Sequence, residues 1–558
     1  MEERNSHILS FLETKTAEYA DRIAVGMKNA YGWSEMTYKG VGLLSRKIAR
    51  YLIEDLEIKK GESIAILSES KPEYASCVFA SVLTGTITVP LDIKLSKYEL
   101  KSILSDCLPT VLITSQHYLE TALYLQKEIN SIKYILVNDE YAKYDGIQNI
   151  YDLPDKFDAK WRQRSSKSTA LIIYTSGTTG APKGVEISFA NVNAQLEDLS
   201  FALDKIIRHN KHTTMLSILP MNHLFEMTVG FSTFLGFGHT IYYTTSLKPN
   251  DIASVMQEKG VEFMLVVPAF LKLLKAGVEK KINALPPFAR YAFKVMYHLA
   301  RFLPTYNMRR KLFKKIHEAF GGRFWGCISG GAPLDVEVGK FFERIGIRVY
   351  QGYGLSETSP VVSVNWDRPG VMDSVGHALP HFESKVDATT GELLLRGPSV
   401  MKGYHNQPEM TAEVIDEDGW FHTGDIAKID SYGHIFITGR IKNMIVLQGG
   451  KKVFPEEVEA VLEESNYIAE TCVLGTVREF GAKDGTEEVT AVIVPKAELY
   501  GSYSDEDIDR MIKLDVKSLS DRLAPYKRPT TVIINKEPLP RTTTMKVKRK
   551  EVKALIHA

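Results

Sequence analysis

Between Leu171 and Ser188 the sequence reads LIIYTSGTTGAPKGVEIS. An apolar run leads into Thr175, Ser176, Gly177, Thr178, Thr179 and Gly180, and Lys183 follows after Ala181 and Pro182. Glycines let a backbone approach an anion closely, and successive N–H groups form an anion-binding nest. Four hydroxyls and one ammonium add donors and positive charge. That set suits a polyphosphate. It is not the Walker pattern, because Pro182 stands where that motif needs glycine and Gly184 where it needs Ser or Thr. On composition alone the stretch also reads as a Ser/Thr/Gly surface loop.

Further along, Gln351, Gly352, Tyr353 and Gly354 precede Leu355, Ser356 and Glu357. Tyr353 offers a flat ring for stacking on a base. Glu357 is a hard oxygen ligand of the kind Mg²⁺ takes, or a solvated turn carboxylate. His223 lies in LPMNHLFE; a lone histidine in an apolar segment is more often structural than functional. Ser329 to Leu334 reads SGGAPL, a small-residue turn after a strand. GWFHTGD ends on Asp425, GRIKN holds Arg440 and Lys442, and GGKKVFPEE opens with Gly449, Gly450 and Lys451. PLPRTTTMKV places Lys546 ahead of a basic run, Lys548, Arg549, Lys550 and Lys553.

YTSGTTGAPKG closely resembles the phosphate-binding motif of the adenylate-forming superfamily, which includes acyl-CoA synthetases, firefly luciferase and the adenylation domains of peptide synthetases. The other segments follow in that family's order, from Tyr174 to Lys546. The resemblance implies that Thr175 to Gly180 and Lys183 hold ATP phosphates and that Thr175 and Glu357 serve Mg²⁺. It implies that Gly330, Gly331, Ala332, Pro333, Gln351, Gly352, Tyr353 and Gly354 bind adenine and ribose. Asp425 would accept from both ribose hydroxyls, and Arg440 would approach the nucleotide. Lys546 would be the catalytic lysine, with His223 and Glu357 as further catalytic residues. The family's common form has glycine before that lysine, where this chain has Met545. Lys442 would be the interdomain hinge, and Gly449, Gly450 and Lys451 part of the thiol-side loop.

The implied chemistry is activation of a carboxylate by ATP to acyl-AMP, with release of pyrophosphate, then transfer to the thiol of CoA. Acyl carrier protein is an alternative acceptor, and free acyl-AMP an alternative product. A non-catalytic acyl-binding relative and a luciferase-like oxygenase share parts of the pattern. Amino-acid-activating members hold the substrate ammonium with an Asp in the His-containing segment; none occurs from His212 to Ser232. A fatty or aryl acid is favoured, and LPMNHLFE looks most like long-chain acyl-CoA synthetases.

The elements that must position these groups are readable as strands alternating with helices from residue 38 to about 329, which implies parallel βαβ units in more than one layer. After about Val386, short strands bounded by glycines suggest an antiparallel β region. The last hundred residues read as a compact α+β unit. The expected architecture is therefore a large α/β N-terminal domain with a β-rich subdomain over 1–439, a hinge at 440–443, and a small mobile α+β domain over 444–558, as in adenylate-forming enzymes.

The 558 residues carry 69 Lys and Arg against 68 Asp and Glu, and 44% are hydrophobic. Disorder is excluded on that composition, and the charge balance argues against a dedicated nucleic-acid binder without excluding a local basic patch. Four scattered cysteines, Cys77, Cys107, Cys327 and Cys472, form no CxxC pair, so a reducing, cytoplasmic setting is expected. The most apolar run, Ala75–Leu91, reads as a buried helix and strand. The segment from about Lys280 to Arg323 interleaves Lys and Arg with Tyr, Phe, Leu and Ile. It suits a peripheral seat on the inner face of a membrane, or an ordinary solvated helix packed on the domain.

Overall fold

The computed structural model describes residues 14–30, 32–140, 146–159, 161–162, 164–175, 182–207, 212–367, 371–447, 451–477, 487–542 and 546–556. The chain forms two compact units. The first comprises Met1–Glu383 and Leu395–Phe421, and the second Ser384–Leu394 and His422–Ala558.

The first unit is built on two large sheets. One runs in the order Gly403–Tyr404, Lys183–Ser188, Thr169–Thr175, Ile87–Pro90, Ser63–Leu67, Val111–Thr114, Tyr134–Val137, Gln148–Asn149. From Thr169–Thr175 onward the strands are parallel; the first two pairings are antiparallel. All five residues of Ser63–Leu67 and all four of Val111–Thr114 are buried. Continuous apolar runs are what a parallel strand needs when helices cover both faces. The helix Pro72–Thr84 is buried all round, starts on a proline and stops at Gly85, whose φ of +67° suits glycine. The apolar run Ala75–Leu91 is thus a core helix followed by the strand Ile87–Pro90.

The second sheet runs His377–Ala378, Ser363–Val364, Arg348–Tyr353, Gly326–Ser329, Phe263–Val266, Thr214–Ser217, Thr240–Tyr243, Ile23–Asn29, Gly32–Thr37. Its centre, from Arg348–Tyr353 to Ile23–Asn29, is parallel. The two sheets are the layered βαβ arrangement expected from the alternation of strands and helices.

A four-stranded sheet in the order Glu383–Val386, Glu392–Arg396, Phe421–Ile429, Ile435–Arg440 belongs mainly to the second unit, and its first three strands cross the boundary in the chain. A three-stranded sheet follows, with Glu487–Pro495 between antiparallel Ile468–Val477 and parallel Thr531–Ile534. Its side chains alternate between two cores. Val473, Val489, Ala491 and Ile493 pack with Val458, Leu462, Ile508 and Ile512 of the helices Pro455–Leu462 and Asp505–Ser520. Cys472, Leu474, Val492 and Val494 face the other way and pack with Leu539 and Val552. The period of two fixes which face each residue covers. From NMIVLQGG, Ile445–Val446 forms a short strand among the described residues.

Candidate active site

In the first unit the strands Thr169–Thr175 and Lys183–Ser188 are antiparallel neighbours, and Thr175 stands directly opposite Lys183. Ser176, Gly177, Thr178, Thr179 and Gly180 connect them and lie outside the described residues. Ladder pairing therefore brings the two ends of the phosphate-loop motif together.

Next to Lys183–Ser188 runs the short strand Gly403–Tyr404. The Lys183 ammonium lies 5.2 Å from the centre of the Tyr404 ring, a cation–π distance. The Tyr404 hydroxyl donates to Oε1 of Glu357 at 2.9 Å. Glu357 sits on a 3₁₀ turn, Ser356–Thr358, and its carbonyl accepts from the Met401 N–H at 2.7 Å. One aromatic side chain thus links the lysine of the loop to the carboxylate of the second motif. Burial and the neighbouring carboxylate keep the Tyr404 phenol protonated, its pKa well above the usual value. Glu357 keeps a second carboxylate oxygen, and Thr175 supplies a hydroxyl. Hard oxygen donors of this type fit Mg²⁺, which takes one or two protein ligands and completes its shell with phosphate and water.

The same edge is braced by ion pairs. His405 Nδ1 lies 2.7 Å from Glu186 Oε1, and Lys402 Nζ lies 2.9 Å from Glu186 Oε2. His405, then Lys402 and Thr169, hold the Glu186 carboxyl at about 2. A Cβ on Gly184 would come within 3.1 Å of both His405 and the Tyr174 ring, so this position has no room for a side chain. Tyr404 and the Glu186–His405 pair escape sequence reading; KGYHN carries no recognisable spacing, and its partners are distant in the chain.

The His223 segment meets the small-residue turn after Gly326–Ser329. A Cβ on Gly330 would sit 3.0 Å from the Phe225 ring, and Gly331 has φ +83°. Packing is therefore tight at Gly330, and the backbone conformation favours glycine at Gly331. The His223 carbonyl accepts from the Met227 N–H at 3.0 Å. Glu226–Thr233 then forms a π-helical stretch with seven of its eight residues buried. Within it the Glu226 Oε1 accepts from the Ser217 hydroxyl at 2.7 Å, and Oε2 has no hydrogen-bond partner. Burial raises this carboxyl to about 8, so it is protonated at neutral pH.

Two residues of the Gln351–Gly354 motif serve the fold. The Gln351 side-chain amide donates to the Met372 and Ser374 carbonyls at 2.8 and 3.2 Å, and its backbone N–H donates to Asn365. A Cβ on Gly354 would fall 1.7 Å from the Pro360 carbonyl oxygen. The close approach this glycine allows is to its own chain. Gly352 meets only ordinary contacts. Ala332 and Pro333 are exposed, and Tyr353 is half-buried.

The remaining residues belong to the second unit. Asp425 is buried, and it stands opposite Arg440 in the antiparallel pair Phe421–Ile429 and Ile435–Arg440. Arg440 Nε donates to Asp425 Oδ1 at 2.5 Å, and its second nitrogen to Oδ2 at 3.3 Å. Each carboxylate oxygen retains lone-pair capacity for further donors. Lys442 is exposed on the 3₁₀ turn Ile441–Asn443. Around it, Asn443 donates to Glu456 at 2.7 Å, and Gly439 lies against the Phe454 ring. Lys451 is exposed, its ammonium 4.9 Å from the Tyr526 ring centre; Gly449 and Gly450 lie outside the described residues.

Lys546 is exposed. The Thr542 N–H donates to the Lys546 carbonyl at 2.8 Å, the Lys546 N–H donates to the Thr542 hydroxyl at 3.1 Å, and Arg541 pairs with Val547. The foundation is Arg549. Its guanidinium donates to both Glu459 oxygens at 2.5 and 2.7 Å and to the Val473 carbonyl at 2.7 Å. Arg541 is tied to Glu470 at 2.9 Å. Within the basic run after Lys546, Arg549 is thus a half-buried anchor.

Comparison with known proteins places the chain in a family. A family model described as AMP-binding enzyme matches residues 12–405, and one described as AMP-binding enzyme C-terminal domain matches 442–557. Relatives include the human long-chain-fatty-acid–CoA ligase ACSBG1, 28% identical over 83% of this chain and 68% of that protein. A putative fatty-acid–CoA ligase, fadD11, of Mycobacterium tuberculosis is 31% identical over 66% of this chain and 64% of its own length. The chain thus spans about two thirds of the length of these curated relatives. Among solved structures, ATP-bound MatB from Rhodopseudomonas palustris superposes with a TM-score of 0.77 at 24% identity, over 99% of both chains. The anthranilate CoA ligase AuaEII with anthranoyl-AMP gives 0.78 at 20% identity, over 98% of this chain and 97% of that one. With family models matching both halves and the fold shared over nearly its whole length, the chain belongs to the AMP-binding enzyme family and has the adenylate-forming enzyme fold.

Proposed function

We propose that the protein is an ATP-dependent acid–CoA ligase whose acid is a long-chain fatty acid. The observation that carries the nucleotide half is the side-chain chain Lys183–Tyr404–Glu357 at the closed end of the Thr175/Lys183 pair. It gathers a cation, a hydroxyl and a hard carboxylate where a polyphosphate with its Mg²⁺ would need them. The acid half rests on the buried Leu224–Leu235 stretch, whose only carboxyl is neutral, and on the names of the curated relatives.

In the proposed reaction a carboxylate oxygen attacks the α-phosphate of ATP and pyrophosphate leaves. Such transfers need positioning and charge neutralisation more than covalent help. Lys183 and the loop donors would hold the phosphates; Thr175 and Glu357 would hold Mg²⁺, which supplies charge neutralisation. Tyr404 fixes the Glu357 carboxylate. Asp425, oriented by Arg440, would accept from the ribose hydroxyls, and Lys546 would steady the developing charge in the adenylation step. The thiol of CoA then attacks the acyl carbonyl and AMP leaves, with the Gly449–Lys451 loop on the thiol side and Lys442 as the pivot between the two steps.

The deciding experiment is acid-dependent pyrophosphate release with acids from acetate to stearate and with aryl acids, each with and without CoA. Turnover with long acids that rises sharply with CoA is expected. Preference for short or aryl acids overturns the chain-length reading. A single turnover indifferent to CoA overturns CoA as acceptor and leaves carrier protein or free acyl-AMP.

A further inference from the structure

From Lys280 to His317 the sequence contains ten Lys and Arg and no Asp or Glu. With 69 basic and 68 acidic residues overall, the rest of the chain is net acidic. The structure folds this segment into the end of the helix Pro268–Asn283 and the helices Pro287–Ala300, Tyr306–Leu312 and Lys314–Ala319.

The helix Pro287–Ala300 is amphipathic in an inverted sense. Its inner face is already satisfied: Phe293 packs on Phe313, Tyr297 on Phe341, and Ala300 is fully buried. Its outer face is also apolar. Phe288 is 76% exposed, Tyr291 71%, Leu299 54% and, just past the helix end, Phe302 67%; Val295 is exposed as well. At 100° per residue these positions fall within one stripe about 80° wide. Arg290, Lys294, His298 and Arg301 follow along one edge of that stripe and are exposed. Lys280, Lys281, Lys311, Lys314 and Lys315 add exposed charge from the neighbouring helices. Arg309 and Arg310 do not, because their guanidinium groups are bound to the carbonyls of Leu303, Glu343, Gly322 and Phe324.

Large aromatic and aliphatic side chains in a row, with cations beside them, match the boundary between lipid headgroups and acyl chains. A nucleic acid would use the cations but not the wide apolar stripe. At 14 residues the helix is about 21 Å long, and no described helix is long and apolar enough to cross a membrane. We propose that the face carrying Phe288, Tyr291, Leu299 and Phe302 seats the protein on an anionic lipid surface, the helix lying in the plane of the interface. The proposal is independent of which acid the enzyme activates.

Co-flotation of the full chain with vesicles tests it. Vesicles of equal parts phosphatidylglycerol and phosphatidylcholine are expected to carry the protein at low salt, and phosphatidylcholine alone to carry far less. Phe288→Ser with Phe302→Ser should reduce partitioning tenfold or more, from about a factor of ten per buried aromatic ring. Lys294→Gln with Arg301→Gln should reduce it about fivefold per charge, and only on anionic vesicles. All four residues are exposed, so unchanged circular dichroism and thermal transitions would show that the variants are folded. No co-flotation at low salt, or co-flotation indifferent to both pairs of substitutions, overturns the proposal. So does concentration-dependent self-association that the aromatic pair abolishes in a protein that ignores vesicles, since the face would then bind a second copy.

Discussion

Tyr404 is one side chain with two tasks, and its two edges can be separated. Tyr404→Phe keeps the ring beside Lys183 and removes the hydroxyl on Glu357. The expected result is about a tenfold loss in pyrophosphate release, the scale of one lost hydrogen bond to a charged group, together with a higher Mg²⁺ requirement. Tyr404→Leu should lose more. A change in activity without a shift in Mg²⁺ dependence would mean that Tyr404 does not act through Glu357. In the proposed mechanism Lys546 would contribute in the first half-reaction only. Lys546→Ala is expected to abolish adenylation, by a hundredfold or more, while largely sparing the reaction of supplied acyl-AMP with CoA. Equal loss in both assays would refute that division. At this scale the sequence was a good guide where chemistry is local. Thr175, Lys183, Glu357 and Asp425 stand out by type and neighbours. Tyr404 and Arg549 did not, because their roles arise from pairings 47 and 90 residues away in sequence.

Elements carry the stability of these positions. Glu226 lies within a π-helical stretch and is protonated in the fold, with its carboxyl at about 8 against 4.5 for an ordinary glutamate. Between those values the unfolded chain has released a proton that the folded chain retains. Rising pH therefore favours unfolding across that window, at most about 1.4 kcal/mol per pH unit. Glu226→Gln removes the titration. Its thermal transition should match the wild type near pH 5 and exceed it by several degrees near pH 8; parallel curves would show that the carboxyl does not titrate in that range. Gly354 gives a second test. Any Cβ there collides with the Pro360 carbonyl, and backbone cannot step aside as a side chain can. Gly354→Ala should cost more than about 2 kcal/mol and lower the thermal transition of the first unit, whereas Gly352→Ala should be mild. Strands such as Ser63–Leu67 and Val111–Thr114 were legible because burial on both faces demands an unbroken apolar run. Sheet order was not legible, because it depends on which distant runs meet; nothing local shows that Gly403–Tyr404 pairs with Lys183–Ser188.

For the whole molecule, the proposed pivot lies within the second unit rather than at its boundary with the first. Lys442 lies two residues after Arg440, whose partner is Asp425, and directly before Asn443, whose partner is Glu456. Lys442→Pro is expected to separate the two half-reactions, slowing one far more than the other; wild-type rates in both would exclude Lys442 as the pivot. The distribution of charge has a further consequence at this scale. A net charge of +1 and an isoelectric point near neutrality describe an average over a molecule with ten basic residues and no acidic ones over 280–315 and a net acidic remainder. The molecule therefore carries a concentration of positive charge at one segment. In a uniform electric field it would hardly migrate, yet near a charged surface it would turn. Near pH 7.5 a cation-exchange resin should retain it through one face, and an anion-exchange resin through another. Its behaviour during purification would then report its orientation rather than its net charge.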